Sequence, residues 1–281
     1  MALENRLLSK FLDDINHNRL ALPTLPEVAL KVRKIVEDPT ASAAQISVVI
    51  GSDPVLSAKL LQVANSPMYR AARPIENLQA AIARLGCSVV RNIVTGIVME
   101  QLYQNKSGGN KKAEQKLREL WLHSTKVGAI AHVIARKFTD LKADQAMLGG
   151  LIHDIGAIPI YCEADNMPEL MEDDERLGRI VHKLHTLIGT SILDEWNFPQ
   201  ELIEVVAEHE NLERESGERV DYVDVVTVAN LHSYIGTDHP LAQRDWSEIP
   251  AFKKIGLTPE ESIDAMEEAR EEVSIMQKML S

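Results

Sequence analysis

Apolar side chains recur at helical spacing along almost the whole chain, and turn-forming or capping residues mark where each stripe begins. Leu56, Leu60 and Val63 share one face of a helix predicted to start at Asp53-Pro54, an N-cap residue followed by a proline in the first turn. Just upstream, Ser42 and Gln45 have the spacing of a capping box. Thr258-Pro259-Glu260-Glu261 opens a highly charged helix predicted to run to about Leu280, with Met266, Val273, Met276 and Leu280 as its only apolar stripe. So narrow a stripe suits a helix packed on the body, or a lid or partner-binding helix. Val220 to Ala229 alternates weakly, but its length and the following Leu231 and Tyr234 favour a helix over a strand. The clearest interruption is Gln104 to Lys112, polar and Gly-rich with no apolar anchor. The pattern predicts an all-α protein with an N-terminal helical lobe over 1–104, a linker over 105–112, a second helical domain over 113–238 and a C-terminal extension over 239–281.

Aromatic residues make up only 4% of the 281 positions, which also favours packed helices over sheets. A formal net charge of −12 argues against nucleic acid or an anionic membrane as partner, since both select clustered Lys and Arg. No apolar run reaches the roughly 20 residues that span a bilayer. The N-terminal stretch mixes Glu4, Arg6, Lys10 and Asp13 with its leucines, so neither membrane insertion nor a signal peptide is expected. Cys87 and Cys162 lack any C-x-x-C spacing. That excludes a cysteine-based zinc site, fits a reducing, cytoplasmic setting, and leaves both as expected small buried hydrophobes.

Candidate chemistry concentrates in the second domain, where four histidines sit on the apolar faces of successive predicted helices. His123 shares a stripe with Val127, Ile130, Ile134 and Phe138. His153 and Asp154 follow Gly149-Gly150-Leu151-Ile152 and precede Ile155-Gly156, an apolar setting in which an imidazole beside a carboxylate is costly unless satisfied. His185 aligns with Val181, Ile188 and Ile192, and His209 ends a stripe from Leu202 through Val205 and Val206. Neutral imidazoles with a carboxylate are the usual ligands of Zn, Mn, Fe or Ni, and coordination offsets their burial. Neighbouring side chains on a helix diverge by about 100°, so His153 and Asp154 serve one ion only at a helix end, or two ions through a bridging carboxylate. Taken singly, each histidine also fits a hydrogen-bonded core or cap residue.

Four longer stretches resemble the HDOD family, a branch of the HD superfamily of helical metal phosphohydrolases. They are LPTLPEVALKV at Leu22 to Val32, SDPVLSAKLLQVANSPMY at Ser52 to Tyr69, AIARLG at Ala81 to Gly86 and GLIHDIG at Gly150 to Gly156. The resemblance covers about residues 15 to 235, and its N-terminal stretches are the more specific, because HDIG is common to the whole superfamily. It implies an all-α fold with a helical N-terminal lobe packed on an HD-like helical domain, in a bacterial signalling protein. It also implies a divalent metal (Fe, Mn, Ni, Zn or Mg) held by His123, His153 and Asp154, with a distal ligand position that falls on Asn230 in VVTVANLHSYIG. His185 and His209 resemble the extra ligands of two-metal relatives such as the HD-GYP phosphodiesterases. Glu210-Asn211-Leu212-Glu213-Arg214 follows His209, however, with no Gly-Tyr-Pro signature. Ala157 stands where relatives often carry Lys; Arg176 and Arg179 are the nearest candidate replacements, although a solvated helix face explains them better.

An amide at the distal position brings no charge to hold an ion or to acidify its bound water. The expected function is therefore a signalling module with a degenerate metal site, whose partner is a signalling protein or a small nucleotide-like ligand. A metal-dependent phosphohydrolase or phosphodiesterase acting on a nucleotide or phosphate ester, and a purely structural scaffold, are the alternatives. With no further domain after the HD-like part, input is expected to arrive by ligand or partner.

Overall fold

The protein is described from a computed structural model, which covers residues 9–10, 13, 23–38, 40–67, 69, 74–104 and 111–280. The described residues fold into helices with no strand. The N-terminal lobe comprises α1 (Glu27–Glu37), α2 (Ala43–Gly51), α3 (Pro54–Ala64), α4 (Leu78–Leu85) and α5 (Cys87–Gln104). The second lobe comprises α6 (Lys111–Phe138), α7 (Ala143–Ile152), α8 (Ala157–Asp165), α9 (Pro168–Met171), α10 (Asp174–Glu195), α11 (Gln200–Glu208) and α12 (Tyr222–Ser233). After a 3-10 turn at Pro240–Gln243 come α13 (Pro250–Ile255), α14 (Pro259–Glu268) and α15 (Arg270–Leu280).

The helices start where side chains satisfy their free amides. Ser42 and Gln45 close a capping box on α2, Asp53 accepts from the Val55 and Leu56 amides of α3, and Thr258 and Glu261 close a second box on α14. Asn65 ends α3, and its side chain bonds Ile75 in both directions at 2.8 Å, tying the following loop back to the helix. Of the expected linker, residues 105–110 lie outside the described residues, and α6 already begins at Lys111.

The 28-residue α6 is the axis of the second lobe and packs against α7, α12 and α15. Its approach to α7 depends on paired glycines: a Cβ on Gly150 would lie 2.6 Å from the Gly128 Cα. Apolar packing continues from the N-terminal lobe into the second, joining Val32, Ile46 and Ile93 to Leu151 and Ile188. Polar bonds reinforce that junction. Arg33 donates to the Trp196 and Asn197 carbonyls, each at 2.8 Å, and Asn92 donates to Asp144 at 2.6 Å. No single described helix is long and apolar enough to cross a membrane; only the pair α4 and α5, bent by 114°, passes that test together.

Two expectations need correction. Cys87 is exposed, because it opens α5 instead of facing the core, and Cys162 is half-buried. The charged C-terminal segment forms two helices, broken at Ala269. Ile263 and Met266 of α14 pack on the core around α12, whereas Met276, Met279 and Leu280 of α15 enter the core shared with the N-terminal lobe. The break lets one segment cover both.

His132, buried on α6, has no partner for Nδ1 and meets the edge of Tyr69. Burial, aided by nearby Arg136, pushes its pKa down to about 3. In the unfolded chain it titrates near 6.5. Between those values the unfolded state holds the extra proton, so stability falls as pH falls through the window, by about 1.4 kcal/mol per pH unit from this group. His132→Leu is expected to reduce the loss of unfolding free energy between about pH 7 and about pH 5 by about 2 kcal/mol. Urea titrations at the two pH values check this, and an unchanged difference would contradict it.

Candidate metal centre

Four elements bring the five candidate ligands together. His123 comes from the middle of α6, His153 and Asp154 from the turn that ends α7, His185 from α10 and His209 from the C-cap of α11. His153 is the C-cap of α7 and keeps helical backbone angles, yet its Nε2 still reaches within 3.2 Å of Asp154 Oδ2. The turn is pressed against α10 at Gly156, where a Cβ would lie 1.9 Å from the His185 carbonyl oxygen and 2.4 Å from the Gly189 nitrogen.

The Asp154 carboxylate sits between two histidine pairs. Its Oδ2 lies 3.2 Å from His153 Nε2 and 3.7 Å from His123 Nε2, and its Oδ1 lies 3.3 Å from His209 Nε2 and 3.4 Å from His185 Nε2. Within each pair the Nε2 atoms are 3.2 Å apart for His123 and His153, and 3.4 Å apart for His185 and His209. His153, His185 and His209 are buried, while Asp154 and His123 keep partial exposure that opens the group to solvent.

Backbone and hydroxyl acceptors assign the tautomers. Nδ1 of His153 lies 2.7 Å from the Gly150 carbonyl, that of His185 2.9 Å from Val181, and that of His209 3.2 Å from both Val205 and Val206. His123 Nδ1 meets Ser233 Oγ at 3.4 Å, and that hydroxyl gives its own proton to the Asn230 carbonyl. Each Nδ1 thus carries the proton, and four Nε2 lone pairs face one carboxylate. Acceptors facing acceptors repel unless positive charge sits among them. The arrangement fits two divalent ions sharing Asp154, each also held by one histidine pair, with outer acceptors fixing ring orientation.

The electrostatics favour neutral rings at His123 and His185. Burial opposes the Asp154 charge, but His153, His209 and His185 hold it well below the usual carboxylate range. Burial pushes His123 down to about 3 and also lowers His185, keeping both neutral. His209 runs the other way: its Nε2 contact with Asp154 outweighs burial and raises its pKa, so without an ion a proton on that nitrogen competes for the place facing the carboxylate.

Asn230 occupies the α12 face that runs along this group. One turn before it, Thr227 donates to the His209 carbonyl at 3.2 Å; one turn after it, Tyr234 stacks on the His123 ring at 5.2 Å. Its side chain meets the Tyr234 hydroxyl, and its Oδ1 is buried with no hydrogen-bond partner. An orphaned buried oxygen at this place fits a neutral ligand position.

Other residues at the site were not singled out in the sequence. Glu210 Oε2 lies 3.7 Å from His185 Nε2 and 3.0 Å from His182 Nδ1, adding a carboxylate and an exposed imidazole at the rim. Position immediately after His209, and the three-residue spacing from His182 to His185, were the available signals. Tyr161, raised to about 12 chiefly by burial, feels the same Asp154 charge. Arg176 and Arg179 pair with Asp173 at 3.1 Å and Glu175 at 2.6 Å on their own helix, and Ala157 is buried.

The HDOD domain model matches residues 22–212. A Shewanella amazonensis SB2B protein, named provisionally a metal-dependent phosphohydrolase, is similar in structure at 32% identity, with all of both chains covered and a TM-score of 0.84. A Marinobacter aquaeolei VT8 protein, named provisionally a signal transduction protein, shares the fold at 21% identity and a TM-score of 0.59, over 94% of this chain and 60% of its own. An uncharacterized protein of Treponema pallidum (strain Nichols) is 22% identical over 225 residues, covering 75% of this chain and 42% of that relative's length. A family model over most of the chain, together with a full-length relative at this identity, makes the chain a member of the HDOD domain family.

Proposed function

We propose that this HDOD protein is a signalling module that keeps the two-ion donor set of the HD superfamily but has lost the charge of its distal ligand. The observation that carries the reading is Asp154 lying between two histidine pairs, with the unpartnered Asn230 Oδ1 on the α12 face between Thr227, which bonds the His209 carbonyl, and Tyr234, which stacks on His123. His123, His153 and Asp154 would hold one divalent ion, and Asp154, His185 and His209 the other. Such an ion supplies Lewis acidity toward water and phosphoryl oxygens. The missing carboxylate weakens both its retention and that acidity, and Arg176 and Arg179, held by their own acids, leave a phosphate without a ready cation. Ligand or partner binding that favours one arrangement of the two lobes is then the output. The division into a lobe over 1–104, an HD-like domain over 113–238 and an extension over 239–281 belongs to the same reading.

The completeness of the five-residue donor set favours one other reading, a metal-dependent phosphodiesterase with reduced activity. A single experiment separates them. Divalent-ion content and hydrolysis of a generic phosphodiester are measured in the parent, in Asn230→Asp and in a His153→Ala blank, with Mn²⁺, Fe²⁺ or Ni²⁺ supplied. Asn230→Asp is expected to bind the ion at least about tenfold more tightly, the lower end of what even outer-shell changes produce, without turnover in the parent. Unchanged affinity removes Asn230 from the ligand positions. Strong turnover by the parent replaces the signalling reading with the hydrolytic one.

A further inference from the structure

Behind the metal centre, α6, the end of α12, α14 and α15 enclose a groove of about 510 Å3. That volume lies in the range of roughly 300–1,000 Å3 that takes small organic ligands. Ile130, Ile235, Ile263, Met266 and Val273 form its walls, and Ile235 leaves 43% of its surface exposed there. Its α14 and α15 side comes from the C-terminal extension, beyond the residues matched by the HDOD model, whereas Lys126 and Ile130 of α6 lie within them.

Its polar groups are unevenly charged. Lys126 and Arg270 line it against a single acid, Glu267, in a chain whose net charge is −12. Buried His232, pushed down to about 4 by burial, adds no charge at neutral pH. Among the described residues neither Lys126 nor Arg270 forms an ion pair; the Lys126 amine donates only to the Ser233 carbonyl, and burial lowers its pKa. Two cations without carboxylate partners, beside an apolar wall, complement a molecule with an anionic head and an aliphatic body.

We propose that this groove binds a single-chain amphipathic carboxylate, with its head at Lys126 and Arg270 and its chain along the Ile130–Ile263–Met266–Val273 wall. The site also has a direct route to the metal centre. Lys126 holds the Ser233 carbonyl, and Ser233 Oγ meets His123 Nδ1 at 3.4 Å. Binding stands on the groove alone; only its coupling to His123 rests on the signalling reading above.

The test uses dodecanoate on the full chain with a chelator present, so that its outcome is independent of metal occupancy and of the preceding reading. Titration calorimetry is expected to give one site with a dissociation constant below about 1 mM. Uncharged dodecanol and cationic dodecyltrimethylammonium should bind at least about tenfold more weakly, about 1.4 kcal/mol for each factor of ten. Arg270→Glu, at an exposed position, should weaken dodecanoate about tenfold or more, and Met266→Trp should weaken it by narrowing the apolar wall. Circular dichroism checks that both variants remain helical. Absence of saturable binding to 1 mM, affinities unchanged in both folded variants, or equal affinity for dodecanol would each overturn the proposal. So would cosedimentation with anionic phospholipid vesicles in the absence of binding to the free acid.

Discussion

Gly156→Ala is expected to cost about 3 kcal/mol of folding stability, at the upper end of ordinary overpacking, and to weaken divalent-ion binding in whatever fraction remains folded. The Gly156 backbone (φ −69°, ψ −13°) is ordinary for any residue, so the cost lies in space. An added Cβ would stand 1.9 Å from the His185 carbonyl oxygen and 2.4 Å from the Gly189 nitrogen, whereas real Cβ atoms essentially never approach within 3.0 Å. Both obstacles are backbone atoms of α10, which cannot turn aside as a side chain does. The crossing must open by about an ångström, and it is the crossing that sets Asp154 Oδ1 against His185. Gly189→Ala is the control: its nearest obstacle is a Val206 methyl at 2.5 Å, so a milder loss is expected. Urea unfolding and equilibrium dialysis with Mn²⁺ measure the two effects. Wild-type stability in Gly156→Ala would show that the approach of α8 to α10 is looser than described.

Lys254→Met is expected to destabilise the protein by about 3 kcal/mol, the lower part of the range for breaking a buried ion pair. Asp224 is only 2% exposed, on the first turn of α12, with Lys254 of α13 at 2.5 Å and Arg214 at 3.7 Å. Asp221, the N-cap of the same helix, takes Arg214 at 2.8 Å and completes a capping box with Asp224. Two cations therefore face two carboxylates, and Lys254 also donates to Ser216 Oγ at 2.8 Å, joining the loop after α11 to α13. Removing Lys254 leaves two carboxylates sharing one guanidinium, with Asp224 desolvated. Burial already raises the Asp224 pKa against the opposing pull of Lys254. Adding Asp224→Asn to Lys254→Met should recover part of the loss, because the stranded charge disappears. Chemical denaturation of the two single variants and the double variant decides it; additive losses would mean that the pair is not coupled.

Much of this molecule was legible in the sequence because its signals are local. Ser42, Asp53 and Thr258 announced helix starts by chemistry that needs only the next three residues, and the stripes containing His123, His185 and His209 declared which faces turn inward. Helical period and glycine spacing likewise put His153 and Asp154 in apolar surroundings. None of these signals says what stands opposite. The break at Ala269 arises because α14 and α15 serve two different cores, and Cys87 is exposed because α5 presents other residues inward. Glu210 and His182 reach the rim only because α10 and α11 meet there. The sequence by itself determined the helices, their buried faces and the residue types available to a metal. Tertiary structure alone decided that Asp154 lies between two histidine pairs and that Lys126 and Arg270 share an apolar groove, because those distances depend on how closely the helix backbones can approach.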